Sequence, residues 1–270
     1  MTETPRFNHH DPSHQREAKA HISRNDPHLA ALVEKAVEFK LNVDEQQSPF
    51  DSLLRAIAYQ SIAGKAAAVI FGRIKALGSN GRPPTPEEML RVPEQKLREA
   101  GLSGAKIAAV RDLAQKTIDG IVPTLAEAEN MTDAELVERL ISVRGIGAWT
   151  VEMFLIFRLG RPDVLPIHDY AVQKGFALTY RKRRIPTPKE LAKFGERWRP
   201  YRTLASWYMW RAVELAGKDA RKITKHSASK KKKRVPAKKR LVKKRIVVKK
   251  QIVAEKTNAV KRVAANKPKR

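Results

Sequence analysis

Residues 143–170 read VRGIGAWTVEMFLIFRLGRPDVLPIHDY. Gly145 and Gly147 flank one apolar residue, Ile146, and the run from Ala148 to Leu159 is apolar nearly all round, which predicts a buried helix. Gly160, Arg161 and Pro162 are stop signals for that helix. A short apolar link through Pro166 leads to His168, Asp169 and Tyr170, where a further helix begins. Upstream, Thr132 and Glu135 have the spacing of a capping box, so Thr132 to Ile141 reads as a helix. The pattern is helix, tight glycine hairpin, buried helix, loop, aspartate. Such glycines let the backbone come close to another surface, and the N–H groups that open the second helix are left to bind an anion. For a basic protein a phosphodiester is the natural anion, although Gly-Ile-Gly alone is equally well explained as a tight turn.

The chain has 270 residues, no cysteine and a net charge of +27. That length suffices for one sizeable core or two small ones. Without cysteine, neither a disulfide framework nor a thiolate metal site can form. No stretch approaches the ~20 apolar residues of a membrane span and no signal core opens the chain, so no membrane partner and an intracellular address are expected. The charge is unevenly spread: Lys218 to Arg270 holds 23 Lys/Arg against 2 acids, whereas residues 1–217 carry only +6. Like-charge repulsion and scarce aromatics predict a disordered basic tail over 218–270. Such a tail adds salt-sensitive affinity for nucleic acid without reading sequence; a nuclear or nucleolar signal is the rival reading of the same composition.

Residues 1–24 are polar and aperiodic and read as a flexible arm. Its His9, His10, His14 and His21 have no ligand spacing and read as solvated rather than metal-binding. Asp26-Pro27 starts a helix whose apolar residues run from Leu29 to Leu41 at helical spacing. Two short helices are expected over Pro86–Val92 and Pro93–Ala100, then a long one from Ala105 to Ile118 with Ser103 as its N-cap. Helices are also expected over 170–178, from Pro188 and over 203–216. No alternating strand pattern occurs, so the fold class is all-α.

The order Val143-x-Gly-Ile-Gly-x-Trp-Thr, an apolar helix, then Arg161-Pro-Asp-Val-x-Pro-x-x-Asp169 resembles the helix-hairpin-helix DNA glycosylases, and within them the 3-methyladenine DNA glycosylase II family. Arg55-Ala-Ile-x-x-Gln60, Gly101-Leu-Ser-x-x-Lys106, and Trp198-Arg-Pro-Tyr-Arg202 followed by Trp207-x-x-Trp210 extend the resemblance over about Pro49 to Leu215. It implies two helical lobes around a cleft over residues 25–217, the first lobe mixing N-terminal and C-terminal helices. It also implies a monomer acting on double-stranded DNA that contains alkylated bases, in the nucleoid or nucleus, with no metal or other cofactor. A turn at Gln60, Ser61 and Ile62 would enter the minor groove, and the backbone of Gly145, Ile146 and Gly147 would meet the phosphates. Ser61 stands where a glutamine or leucine is usual, which leaves the wedge open, with Ile62 the bulkiest alternative.

Three carboxylates lie near the hairpin. Glu152 sits in an apolar helix as a partly buried structural charge, and Asp163 in a proline loop reads as a turn residue. Asp169 precedes a helix and so reads as an N-cap; the resemblance assigns it the catalytic role. Cleaving a base from deoxyribose develops positive charge on the sugar, which a fixed carboxylate stabilises. The resemblance makes Trp210 the ring that stacks on a flipped, cationic base, with Trp149 and Tyr170 beside it, while Trp198 and Trp207 read as core anchors. Relatives that also cut the strand carry a lysine where this chain has Trp149, and an indole cannot form a Schiff base. The absence of cysteine excludes the iron–sulfur cluster of the endonuclease III branch. A monofunctional glycosylase is the expectation. The competing classes are a non-catalytic DNA-binding protein, in which Asp169 only caps, and a nucleoid-packaging protein.

Overall fold

The computed structural model describes residues 11–43, 47–79 and 81–233, with side chains to residue 217. The described residues form helices and no strand. In chain order they are α1 (Pro12–Asn25), α2 (Pro27–Lys35), α3 (Pro49–Tyr59), α4 (Gly64–Lys75), α5 (Pro86–Arg91), α6 (Glu94–Glu99), α7 (Gly104–Ile118), α8 (Leu125–Asn130), α9 (Asp133–Ile141), α10 (Ala148–Phe157), α11 (Tyr170–Thr179), α12 (Pro188–Gly195) and α13 (Arg202–Lys233), with a 3-10 turn at Glu196–Trp198. Short polar residues cap most of these starts: Thr85, Thr124, Thr132 and Thr187 each form a full capping box with the glutamate three residues on. Each such cap stabilises its helix by about 1 kcal/mol.

Packing sorts the helices into two lobes. α3 and α5 lie against α7, α4 against α3, and α9 and α3 against α10. In the other lobe α1 packs on α2 and the 3-10 turn, and α11 on α2 and α12, so N-terminal and C-terminal segments share one core. α10 buries Val151, Phe154, Leu155 and Ile156, each contributing about 1.5–3 kcal/mol. Trp149 and Phe157, at its two ends, remain 46% and 38% exposed, so this largely apolar helix is buried on one side and open on another.

A buried carboxylate joins the elements of the mixed lobe. Asp26 caps α2 through the Leu29 N–H (3.1 Å) and also accepts from the Tyr180 hydroxyl (2.5 Å) and the Trp198 indole N–H (3.0 Å). Burial and the Asp26 carboxylate hold the Tyr180 hydroxyl protonated well above its ordinary range. α11 and α13 cross with their backbones nearly touching: a Cβ on Gly175 would lie 1.9 Å from the Met209 carbonyl oxygen. That crossing sets the start of α11 beside the aromatic residues of α13.

Two sequence expectations are corrected. Part of the N-terminal arm is helix α1, capped by Asp11, with Ala18 and Ile22 fully buried; two apolar contacts in a polar helix are too sparse to register as a pattern. The histidines at positions 9 and 10 lie outside the described residues, and His21 packs edge-on against Tyr201. The helix begun at Pro27 stops at Lys35, and Ala36 is extended. Phe39 and Leu41 enter the core from irregular backbone while Lys40 and Asn42 face solvent, because alternate residues of an extended chain point to opposite sides; Val37 is exposed. The chain divides into two units, 1–217 and 218–270. The backbone from Lys218 to Lys233 is helical beyond a break at Gly217 (φ 46°, ψ −112°). Lys, Arg and Ala are good helix formers, which offsets their repulsion. The remainder of the predicted disordered tail, 234–270, lies outside the described residues.

Candidate active site

Asp169 ends the loop that follows α10, with extended backbone (φ −68°, ψ 119°) as the N-cap of α11. Its Oδ1 accepts from the Val172 N–H at 2.8 Å, the expected cap bond. Two indoles complete the grip. Trp149, from the first turn of α10, donates to Oδ2 at 2.7 Å, and Trp210 of α13 donates to Oδ1 at 3.2 Å. A carboxylate offers about four lone pairs; three donors leave one acceptor position, on Oδ2. The carboxylate is half-buried, fixed in orientation and open on one side.

Rings surround it. Trp210 stacks on Phe157 at 5.7 Å with a 24° interplanar angle, and Tyr170 is 50% exposed next to Asp169. Phe157 also lines a cavity of about 430 Å³ with Leu53, Ala56 and Tyr59 of α3 and Thr150 and Met153 of α10. A larger cavity of about 740 Å³ is lined by loop residues around Pro49, Pro83 and Pro123 and includes none of Asp169, Trp149 and Trp210. Nor do those three line the smaller one, which meets the cluster through Phe157 and its stacking on Trp210. Glu152, one turn after Trp149 on α10, is pushed up to about 7 by burial and by the charge of Asp169.

The hairpin between α9 and α10 is built from the side. Gly145 has φ +78° and its missing Cβ would lie 3.3 Å from the Ala109 side chain. The Ile146 side chain is buried, so only backbone is offered at that position. Open space surrounds Gly147 and no side chain caps α10. Among the described residues, no hydrogen bond engages the N–H groups of Gly147 and Ala148. Asp112 on α7 accepts from the Arg144 N–H at 2.7 Å and pairs with Lys116 at 2.9 Å. Burial works to raise the Asp112 carboxyl, yet the Arg144 N–H and Lys116 outweigh it and hold it below its ordinary value.

The turn after α3 is tied to the same hairpin: the Gln60 side-chain amide donates to the Gly145 carbonyl at 2.9 Å. Lys106 donates to the Ala58 and Gln60 carbonyls, both at 2.8 Å, placing a cation at the C-terminus of α3 where the helix dipole favours it. Ser61 stands at the tip with φ +60° and Ile62 is exposed. The amide of Gln60 is thus a strut, and Ser61 and Ile62 project.

A model of the HhH-GPD superfamily of base excision DNA repair proteins matches residues 54–200, more than half of the chain and the segment that carries the turn, hairpin and Asp169. The chain belongs to the HhH-GPD superfamily. It is 40% identical over 200 residues to DNA-3-methyladenine glycosylase 1 of Schizosaccharomyces pombe, covering 74% of this chain and 88% of that one. The structure of the S. pombe 3-methyladenine DNA glycosylase in complex with abasic DNA matches with a TM-score of 0.68, covering 74% of this chain and 98% of that one. A DNA-3-methyladenine glycosidase from Bacillus halodurans, 33% identical, also matches at 0.68 over 78% and 94%.

Within this HhH-GPD fold the sequence-predicted residues fall into two groups. Asp169, Trp149, Tyr170 and Trp210 form one cluster, and Gln60, Ser61 and Ile62 join Gly145, Ile146 and Gly147 in another. Trp198 and Trp207 are buried core residues. Asp163 does more than serve a turn: it pairs with Arg199 and Arg202, tying the loop before Asp169 to the start of α13. Sequence reasoning missed Phe157, which sits at the end of an unbroken apolar run. In Gly101-Leu-Ser-x-x-Lys106 the Ser103 cap is present, whereas the reach of Lys106 to the end of α3 has no local signal.

Proposed function

We propose that this chain is a monofunctional DNA glycosylase that flips an alkylated, positively charged base out of duplex DNA and hydrolyses its N-glycosidic bond. The observation that carries this reading is the Asp169 carboxylate, held by two indoles and a backbone N–H with one Oδ2 position open beside stacked aromatic rings. When the bond breaks, its electron pair leaves with the alkylated base, which departs neutral and needs no prior protonation. Positive charge spreads over the sugar, where Asp169 stabilises it, and water adds to the sugar carbon and loses a proton. Trp210 and Phe157 supply faces on which a cationic base stacks. The free N–H groups opening α10 suit a phosphate, and the strutted turn at Ser61 and Ile62 suits the gap that a flipped base leaves. Base excision of alkylated DNA also agrees with the names of the relatives.

Trp149 supports the absence of strand cleavage, because its indole is no amine nucleophile and is engaged by Asp169. The basic segment after Gly217 acts in this reading as a non-specific tether to duplex DNA. The test is release of free base, identified by mass, from alkylated duplex by the unaltered protein and by Asp169→Asn.

A further inference from the structure

Glu152 takes no part in the chemistry described above, yet it belongs to the same cluster. It lies one turn after Trp149 on α10, so the two side chains share a face, and Trp149 holds Asp169. Its Oε2 is enclosed and has no hydrogen-bond partner. Neighbouring elements offer basic side chains, Arg55 on α3, Arg139 on α9, His168 before α11, Lys174 on α11 and Arg211 on α13, but none acts on Glu152; burial and the Asp169 charge do. A carboxylate so placed is expensive to ionise in the empty site.

We propose that Glu152 is a second carboxylate of the site, one that makes binding select for positive charge on the bound nucleotide. The inference rests on the reading of Asp169 as the group facing the developing charge. A cation bound beside Asp169 offsets the repulsion between the two carboxylates through space, without contacting the enclosed Glu152 Oε2. With its ordinary range displaced to about 7, Glu152 is neutral in mild acid and charged in mild base. Preference for a cation therefore grows with pH as Glu152 ionises.

The probes are two duplexes, one carrying a pyrrolidine in place of a sugar, protonated throughout the range, the other its neutral tetrahydrofuran counterpart. Their Kd ratio is measured from pH 6 to pH 8 for the full chain and for Glu152→Gln and Glu152→Asp. The unaltered protein should gain at least about fivefold in cation preference across this interval, since one added charge within ~16 Å of the bound cation at an effective dielectric near 20 contributes that much or more. Glu152→Gln should keep the pH 6 value throughout, and Glu152→Asp should recover part of the rise. Stability gives a second readout. The raised acid stabilises the fold fully below its unfolded value of 4.5 and loses that contribution as pH rises through about 7. Glu152→Gln should therefore melt progressively higher than the unaltered protein as pH increases. An equal rise in cation preference with Gln in place, no rise in the unaltered protein, or a Gln variant less stable at pH 8 overturns the proposal. Both readouts are independent of turnover, so failure to release base would refute the glycosylase reading separately.

Discussion

Asp169→Asn separates the two roles of one side chain, because it removes a charge while nearly preserving shape. Asn is as good an N-cap as Asp, so the Val172 N–H (2.8 Å) keeps its acceptor. The amide has one oxygen where the carboxylate has two; placed at Oδ1 it keeps the Val172 and Trp210 donors, and the Trp149 N–H loses its acceptor. Each indole has some access to solvent, and the stability cost should be about 1 kcal/mol. The catalytic cost is larger. A carboxylate about 4 Å from a full positive charge, at an effective dielectric near 20, contributes about 4 kcal/mol. The sugar carries only part of that charge in the transition state, so about 3 kcal/mol, or roughly a hundredfold in rate, is expected. The assay is single-turnover release of 7-methylguanine at saturating protein, with thermal unfolding and duplex affinity measured on the same samples. Affinity should be unchanged or slightly higher, since a negative charge near phosphates disappears. A folded Asn variant that loses less than tenfold in rate would reduce Asp169 to a helix cap and refute the mechanism.

Three further outcomes follow from the same geometry. The purified protein should leave an abasic strand that breaks only on alkali or heat; a borohydride-trapped protein–DNA adduct in good yield would overturn the assignment of Trp149. Removing residues 218–270 should weaken binding and flatten its salt dependence equally on damaged and undamaged duplex, leaving single-turnover release at saturation almost unchanged; an unaltered salt slope would show that the basic segment is no tether. Lys106→Met should strip two carbonyls of a charged donor, costing about 2–4 kcal/mol in denaturant unfolding and slowing base release about tenfold through a loosened Ser61 tip; a variant as stable and as fast as the parent would show that the tip needs no such support.

The all-α class, the hairpin, its capping box and the N-cap reading of Asp169 were legible in the sequence because each depends on neighbours within a turn or two of chain; the catalytic reading of Asp169 was implied by the resemblance alone. Capping needs a short polar side chain three residues from an N–H, and the glycine hairpin needs a backbone free of Cβ atoms; both are local requirements, written locally. The resemblance carried Trp149 and Trp210 to the base pocket but not the reason they are indoles. Only the tertiary structure brought residues 149, 169 and 210 together so that two ring N–H groups grip one carboxylate. The same holds for Gln60, bonded to a carbonyl 85 positions away, and for Lys106, which reaches back to the end of α3. It holds most strongly for Glu152, whose sequence surroundings predict a costly charge in an apolar helix and nothing more. Its proximity to Asp169, and the lack among the described residues of a cation acting on it, depend on where α10, α11 and α13 meet. No local pattern encodes that meeting, since side chains distant in sequence are brought within range by packing alone.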